Sequence, residues 1–364
     1  MALKCGIIGL SNIGKTTIFN CVSNTKAETT SFAFSTNKSN IGMVNVRDPR
    51  LQTIRDLMDS AKIIPTTVEL VDIPGLTKGA SEGEGVGNKF LADIQQTNAL
   101  IHVLRCFDDE NLPHIEGSVD PARDKEIVDF ELQIRDLDLV ERKIERLGKL
   151  VKVGDKKAKQ GVELLIKVKE HIENFGNVRD FEVAEQDKID FILDMYLLTD
   201  KPVMYVCNVD ENSAAEGNDY VNKVRDAVDD DSEILIIAGS LEAEISELDS
   251  DDQKDFLDDA GLTEPGVDKL VRGAYHLLNL KSFFTAGPKE VHAWTIKKGT
   301  KAPQAAGVIH SDLERGFIRA EVMHYADFVE HGTEAACRDN GKLFIEGKNY
   351  EVEDGDIINI RFNI

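Results

Sequence analysis

Gly9-Leu10-Ser11-Asn12-Ile13-Gly14-Lys15-Thr16 satisfies the pattern GxxxxGK[ST], a glycine-rich loop whose backbone N–H groups cradle phosphate oxygens. The helix start offers unpaired N–H groups, Lys15 brings a positive charge to the β and γ phosphates, and the Thr16 hydroxyl suits magnesium. Further along, Asp72-Ile73-Pro74-Gly75 closes an apolar run. An aspartate there can hold magnesium through a water, and the glycine N–H can sense the γ phosphate. Thr36, lying between the two motifs, is the candidate second magnesium ligand, closing on a triphosphate; a plain turn residue is the alternative. Switch GTPases commonly carry a glutamine just after D-x-x-G to orient the attacking water, and this chain has Leu76, which cannot hydrogen-bond through its side chain. His114, in the loop NLPHIEG, is a candidate replacement, with a solvated loop histidine as the bland alternative.

The base-reading position is unusual. A guanine site carries Asn-Lys-x-Asp, whose carboxylate accepts from two donors of the base. Here the segment is Asn208-Val209-Asp210-Glu211, with valine for the lysine and glutamate for the aspartate. The longer side chain moves the carboxylate out of register, and each unpaired buried donor of guanine costs about 1–3 kcal/mol. Such a site loses its preference for guanine. Val209 is expected to pack on a purine from one side and Phe107 from the other; a strand-end turn that reads no base is the alternative.

Strands and helices must carry these residues. KCGIIGL, SNIGMVNV, TVELVDIPG, ALIHVLRCF, VMYVCNV and EILIIAG are six short apolar runs, with helical patterns between them. They predict a doubly wound, mostly parallel α/β sheet. The long gap before VMYVCNV is mostly helical. Leu137, Val140, Ile144, Leu147 and Val151 recur at spacings of three and four, as do Leu165, Val168, Ile172 and Phe175. Glycine-bounded VGDKKAKQG lies between them, which predicts an antiparallel helical hairpin with a lysine-rich tip, either projecting from the sheet or lying flat on it. The segment after D-x-x-G, GASEGEGVGN, with four glycines from Gly79 to Gly87, is expected to be a mobile switch loop. Beyond Phe283 come the strand-like segments VHAWTI, GFIRAEVM, KLFIEG, NYEVE and INIRFNI, a small α+β domain. The expected divisions are residues 1–128 and 201–280 for the nucleotide domain, 129–200 for the hairpin and 281–364 for the last domain.

The 364 residues carry a formal charge of −23, a field that opposes nucleic acid and anionic membranes as a whole. Residues 142–159 reverse that locally: Arg142, Lys143, Arg146, Lys149, Lys152, Lys156, Lys157 and Lys159 face only Glu145 and Asp155, so contact with rRNA or another polyanion is expected there. No apolar run reaches the length of a membrane span, which with the five scattered cysteines predicts a cytoplasmic protein with reduced thiols.

The motifs GLSNIGKTT, DIPGLTKGASEGEGVGNKFL, HVLRCF, NVDE, SLEAEISELD, EPGVDKLVRGAYHLLNL and EGKNYEVEDGDIINIRFN together resemble the Obg-like ATPases of the YchF type, over essentially the whole chain. The resemblance implies a P-loop domain with an inserted helical hairpin and a C-terminal β-grasp domain of the TGS type. It also implies slow hydrolysis of ATP in preference to GTP, and association with ribosomes; the large subunit is the expected partner. By position, it makes Asn12, Ile13, Gly14, Lys15, Thr16 and Thr17 phosphate-binding, Thr16 and Thr36 magnesium ligands, and Phe107, Asn208 and Val209 adenine contacts. Lys15, Asp72, Gly75 and His114 become the catalytic set, His114 matching a mobile-loop histidine thought to replace the glutamine. Asn12 stands where potassium-stimulated relatives use an asparagine for K+. A monomer is expected.

The chain also departs from the family. SFAFSTNKSN stands where the family usually reads close to NYPFCTIEPN, which keeps Thr36 but puts Ser35 at the cysteine position. Two other functions compete: a GTPase that assists ribosome assembly, and a non-hydrolysing adaptor that nucleotide merely orders.

Overall fold

The computed structural model describes residues 3–23, 39–76 and 86–363. The expected second magnesium ligand Thr36, most of the divergent segment 31–40 and most of the glycine-rich segment 79–88 lie outside them. The elements run β1 (Lys4–Ile8), α1 (Lys15–Ser23), β2 (Asn40–Asn45), α2 (Pro49–Met58), β3 (Ile63–Ile64), β4 (Thr67–Asp72), α3 (Val86–Gln95), β5 (Ala99–Cys106), α4 (Pro121–Val151) and α5 (Lys156–Glu173). They continue with α6 (Glu185–Phe191), β6 (Val203–Val209), α7 (Asp219–Ala227), β7 (Ile234–Ile237), α8 (Gly239–Ile245), α9 (Ser250–Asp259) and α10 (Gly266–Leu277). Then come β8 (Leu280–Ala286), β9 (Val291–Lys297), α11 (Ala302–Ile309), α12 (Ser311–Arg315), β10 (Phe317–Met323), α13 (Tyr325–His331), α14 (Glu334–Asp339), β11 (Phe344–Glu346) and β12 (Ile357–Phe362).

All six expected runs enter one sheet, in the order β2-β4-β1-β5-β6-β7. The pairings β1–β4, β1–β5, β5–β6 and β6–β7 are parallel. Continuous apolarity explains why: every residue of β5 is buried, as a strand covered on both faces requires. Chain order reverses around β1, which places the phosphate loop at the topological switch point where such sheets bind ligands.

Long α4 begins at a strong signal, Asp120 capping Arg123 N with Pro121 in the first turn, and α5 begins with Asp155 capping Ala158 N. The expected stripe Leu137, Val140, Ile144 and Leu147 meets Leu165, Val168 and Ile172 in one core. A third segment closes that core with Val178, Ile192, Met195 and Leu197, a contribution that helical spacing alone did not show. Phe175 leaves the stripe: it follows the end of α5 at φ 62° and is 71% exposed. Past Lys143, α4 has no fully buried residue, and Ile144 and Leu147 are only partly covered by the core. Lys143 itself is buried, donating to Phe191 O and pairing with Asp194, so it drops out of the basic surface.

The packing divides the chain differently from the expected boundaries. One compact unit comprises residues 1–43 and 69–270, hairpin included; the other comprises 44–68 and 271–364. The physical reason is the apolar face of α2. Leu51 and Ile54 pack with Phe284, Val291, Phe328 and Ile357, and β3 pairs in parallel with β9. Arg50 donates to Asp354 at 2.6 Å, closing the second unit around a segment that arrives from the middle of the nucleotide motifs. In that unit the β8–β9 hairpin, α11 and β10 lead to β12, and the sheet order is β11-β10-β12-β8-β9-β3. First and last strands β8 and β12 run parallel at its centre, the β-grasp arrangement. NYEVE makes only an isolated bridge, Lys301 to Glu351, because Asp356 draws in Tyr350 Oη and Glu353 N and turns the chain there.

Candidate functional site

β1 ends at Ile8 and α1 starts at Lys15, so the loop between them wraps the N-terminus of a helix. Gly14 sits at φ 93°, and a Cβ there would lie 2.2 Å from Asn208 Nδ2. Asn12 also takes the left-handed region, at φ 61°. Lys15 is buried; its ammonium donates to Gly9 O at 3.2 Å and to Leu10 O. Burial lowers its pKa to about 8, against the attraction of Asp72. That is the electrostatic signature of a lysine held for a polyanion.

β4 delivers Asp72 beside this loop. Thr16 Oγ1 donates to Asp72 Oδ2 at 2.9 Å, and Asn40 Nδ2 reaches the same oxygen at 3.4 Å. Burial raises the Asp72 pKa, opposed by Lys15, Thr16 and Asn40. Its other oxygen, Oδ1, is buried without a hydrogen-bond partner among the described residues. A carboxylate oxygen left over beside a hydroxyl is the donor set a hard cation such as Mg2+ takes up, so these residues fit the metal expected from the sequence. After Asp72 the chain continues along the loop, Leu76 N donating to Gly9 O at 3.0 Å. A Cβ on Gly75 would lie 2.4 Å from Ser11 Oγ and 2.7 Å from Ser11 Cα, so only glycine lets the two motifs touch. Leu76 is buried, so the usual glutamine position points into the core.

The base side is assembled from distant residues. Asn208 Nδ2 donates to Ile13 O at 2.8 Å, and its Oδ1 accepts from Gly239 N at 3.0 Å. Asn208 therefore ties the phosphate loop to the start of α8. Val209 is a correction: strand alternation turns its side chain to the opposite face, into a core with Leu104, Cys106, Tyr205 and Val221. Its side chain cannot pack on a base. Glu211 is exposed, and Asp210 accepts from Ser213 in a local turn. Phe107 is half-buried and lies against the guanidinium of Arg105, which is 4.6 Å from the ring centroid.

His114 is anchored where the expectation was a loop residue facing solvent or water. Its Nδ1 accepts from Glu116 N at 3.1 Å, which leaves Nε2 to donate to Asp124 Oδ2 at 2.8 Å. Both side chains are nearly inaccessible, and Arg123 holds the other oxygen of Asp124. The structure thus gathers Lys15, Thr16, Asp72, Gly75 and Asn208 around one loop, puts Phe107 on the neighbouring loop, and holds His114 on the first turn of α4. Thr17 lies in the first turn of α1. Arg105, Asp124 and Asn218 were missed. The available signal was an arginine inside the continuously apolar run HVLRCF, since a buried charge needs partners.

Fold and site together define a P-loop nucleoside-triphosphate-binding protein with a β-grasp unit. Residues 4–144 match the family model described as 50S ribosome-binding GTPase, and residues 280–363 match the model of the YchF GTPase C-terminal region, described as a protein of unknown function. The chain is 45% identical to the Ribosome-binding ATPase YchF of Bacillus subtilis, and 45% identical to that of Haemophilus ducreyi, in each case over 100% of both chains. It superposes on the structure of the Schizosaccharomyces pombe YchF GTPase with a TM-score of 0.87, at 34% identity, covering 99% of this chain and 97% of that one. The chain belongs to the YchF family. Among the described residues, no helix is long and apolar enough to cross a membrane.

Proposed function

We propose that this protein is a slow, Mg2+-dependent ATPase that acts as a monomeric switch on the ribosome, taking ATP in preference to GTP. The observation that carries the base preference is the guanine-reading position. Glu211 is exposed at the start of a turn, Val209 is in the core, and Asn208 is bonded to protein at both ends. No carboxylate among these residues is fixed to accept from guanine. The names of full-length relatives, ribosome-binding ATPases, support the same reading.

Backbone N–H groups from Asn12 to Thr17 hold the phosphates, with Lys15 among them. Thr16 and Asp72 hold Mg2+, which when bound neutralises charge on the β and γ oxygens. Gly75 N–H meets the γ phosphate. Asn12 makes no hydrogen bond within the described residues, which leaves its carboxamide for a K+ ion. His114 orients the attacking water only after leaving Asp124, so turnover is slow unless a partner moves α4 or the loop. The large ribosomal subunit is that partner, met through rRNA at Lys152, Lys156, Lys157 and Lys159.

Competition binding of ATP and GTP with Mg2+ tests the base preference; tighter GTP binding would return the chain to the assembly GTPases. Replacing the four lysines with alanine should weaken ribosome co-sedimentation about tenfold and flatten its salt dependence. Unchanged sedimentation removes the hairpin from the contact.

A further inference from the structure

Arg105 is the largest of the almost fully buried side chains, at 1% exposure, and it sits at the nucleotide end of β5. Every hydrogen bond its guanidinium makes within the described residues goes to a carbonyl of the loop that follows. Nε donates to Phe107 O at 3.1 Å, Nη1 to Leu112 O at 2.8 Å and Nη2 to Asp109 O at 3.4 Å. The same guanidinium stacks on the Phe107 ring at 4.6 Å. No carboxylate forms an ion pair with it among the described residues; the loop is folded around the charge. A fork of N–H groups fixed in one plane can hold three carbonyls in different directions, which an ammonium cannot do with the same geometry.

A second set of bonds braces the loop from outside. Asn218 Nδ2 donates to Cys106 O at 2.8 Å while its Oδ1 caps α7, and Tyr220 Oη donates to Asp108 Oδ2 at 2.8 Å. Phe107 is thus held in backbone and ring alike, one face on a cation and the ring still half-exposed. An aromatic wall fixed in this way loses little conformational freedom when a planar base stacks on it.

We propose that Arg105, with Tyr220 as its outer brace, positions Phe107 against the nucleotide base and so adds affinity for ligands that carry a base, without touching the nucleotide. This rests on the reading of the site as an ATP site with Phe107 at the base. It makes Arg105 a positioning residue, and its contribution is confined to ligands that carry a base.

The test uses the full-length protein with Mg2+ and titrates ATP, GTP and inorganic tripolyphosphate into the wild type and the variants Arg105→Lys, Tyr220→Phe and Phe107→Ala. Tripolyphosphate reports the phosphate loop alone. Arg105→Lys should weaken ATP about tenfold and GTP by a similar factor, and change tripolyphosphate affinity less than about twofold. On a Phe107→Ala background, Arg105→Lys should add nothing further. Tyr220→Phe removes one hydroxyl at a half-exposed position, so it keeps the test available if Arg105→Lys folds poorly; it should weaken ATP about threefold and leave tripolyphosphate unchanged. Equal losses for ATP and tripolyphosphate would overturn the proposal, making Arg105 a general support of the fold. So would full ATP affinity in Arg105→Lys or in Tyr220→Phe while Phe107→Ala is impaired, and that result leaves the ATP site standing. Full ATP affinity in Phe107→Ala removes the base reading itself.

Discussion

The two ends of the nucleotide site are built in different ways. At the phosphate end, recognition comes from backbone within a single turn, from Gly9 to Thr16, with Asp72 and Gly75 laid alongside by β4. At the base end, the local bonds of Arg105 are joined by ties between segments far apart in sequence: Asn208 to Ile13 and Gly239, Asn218 to Cys106, and Tyr220 to Asp108. The phosphate end reads a chemistry common to all nucleotides and can be local. The base end, as proposed, must hold a planar group at a fixed distance from that loop, and the ties from β6 to the phosphate loop and from α7 to the end of β5 bring its parts together.

Gly14→Ala should break the phosphate end most completely. Left-handed backbone costs alanine about 1–2 kcal/mol, before the clash of the new Cβ with Asn208. Affinity for ATP and tripolyphosphate should fall together by about a hundredfold or more, as isothermal titration would show. Retained tripolyphosphate binding would mean that the loop does not depend on Gly14.

Asn208→Ala probes the seam between the two ends. It leaves Ile13 O and Gly239 N without their partner in a buried setting, at about 1–3 kcal/mol each, so the melting temperature should drop. Because Asn208 is bonded to protein at both ends, ATP and tripolyphosphate should weaken in parallel, by about tenfold. Loss of ATP alone would make Asn208 a base contact, and the two ends would be more separate than the geometry says.

The smallest effect concerns pH. The Lys15 pKa is lowered to about 8 by burial. Bound phosphates favour the charged form, so the pKa rises on binding and protons are taken up. Affinity therefore holds below about pH 8 and declines as pH rises through that value, by about threefold to tenfold at pH 9. Tripolyphosphate should show the full decline and the ATP-to-GTP ratio should not move, since the base end has no part in it. A flat profile over this range would exclude titration of Lys15 in the free site.

Much of this was legible in the chain. The phosphate loop, D-x-x-G, six strands and most of the hairpin stripe are short-range patterns that formed where expected, because glycine geometry and apolar periodicity act over a few residues. The role of Val209 was not legible. Alternation along β6 puts Asn208 and Val209 on opposite faces, and only the covering helices decide that Val209 belongs to a core. His114 likewise needed Asp124, whose carboxylate reaches it only because α4 starts under the loop. Residues 44–68 read as part of the nucleotide domain until α2 and β3 are seen packed with β8, β9 and β12.

The sequence by itself determined that this is a P-loop nucleotide-binding chain, because a glycine-rich turn, a lysine and a helix start make the phosphate loop legible over a few residues. Tertiary structure alone decided which distant residues are tied to the phosphate loop and which unit each segment joins. Those depend on hydrogen bonds and apolar contacts between residues that only the folded chain brings within reach.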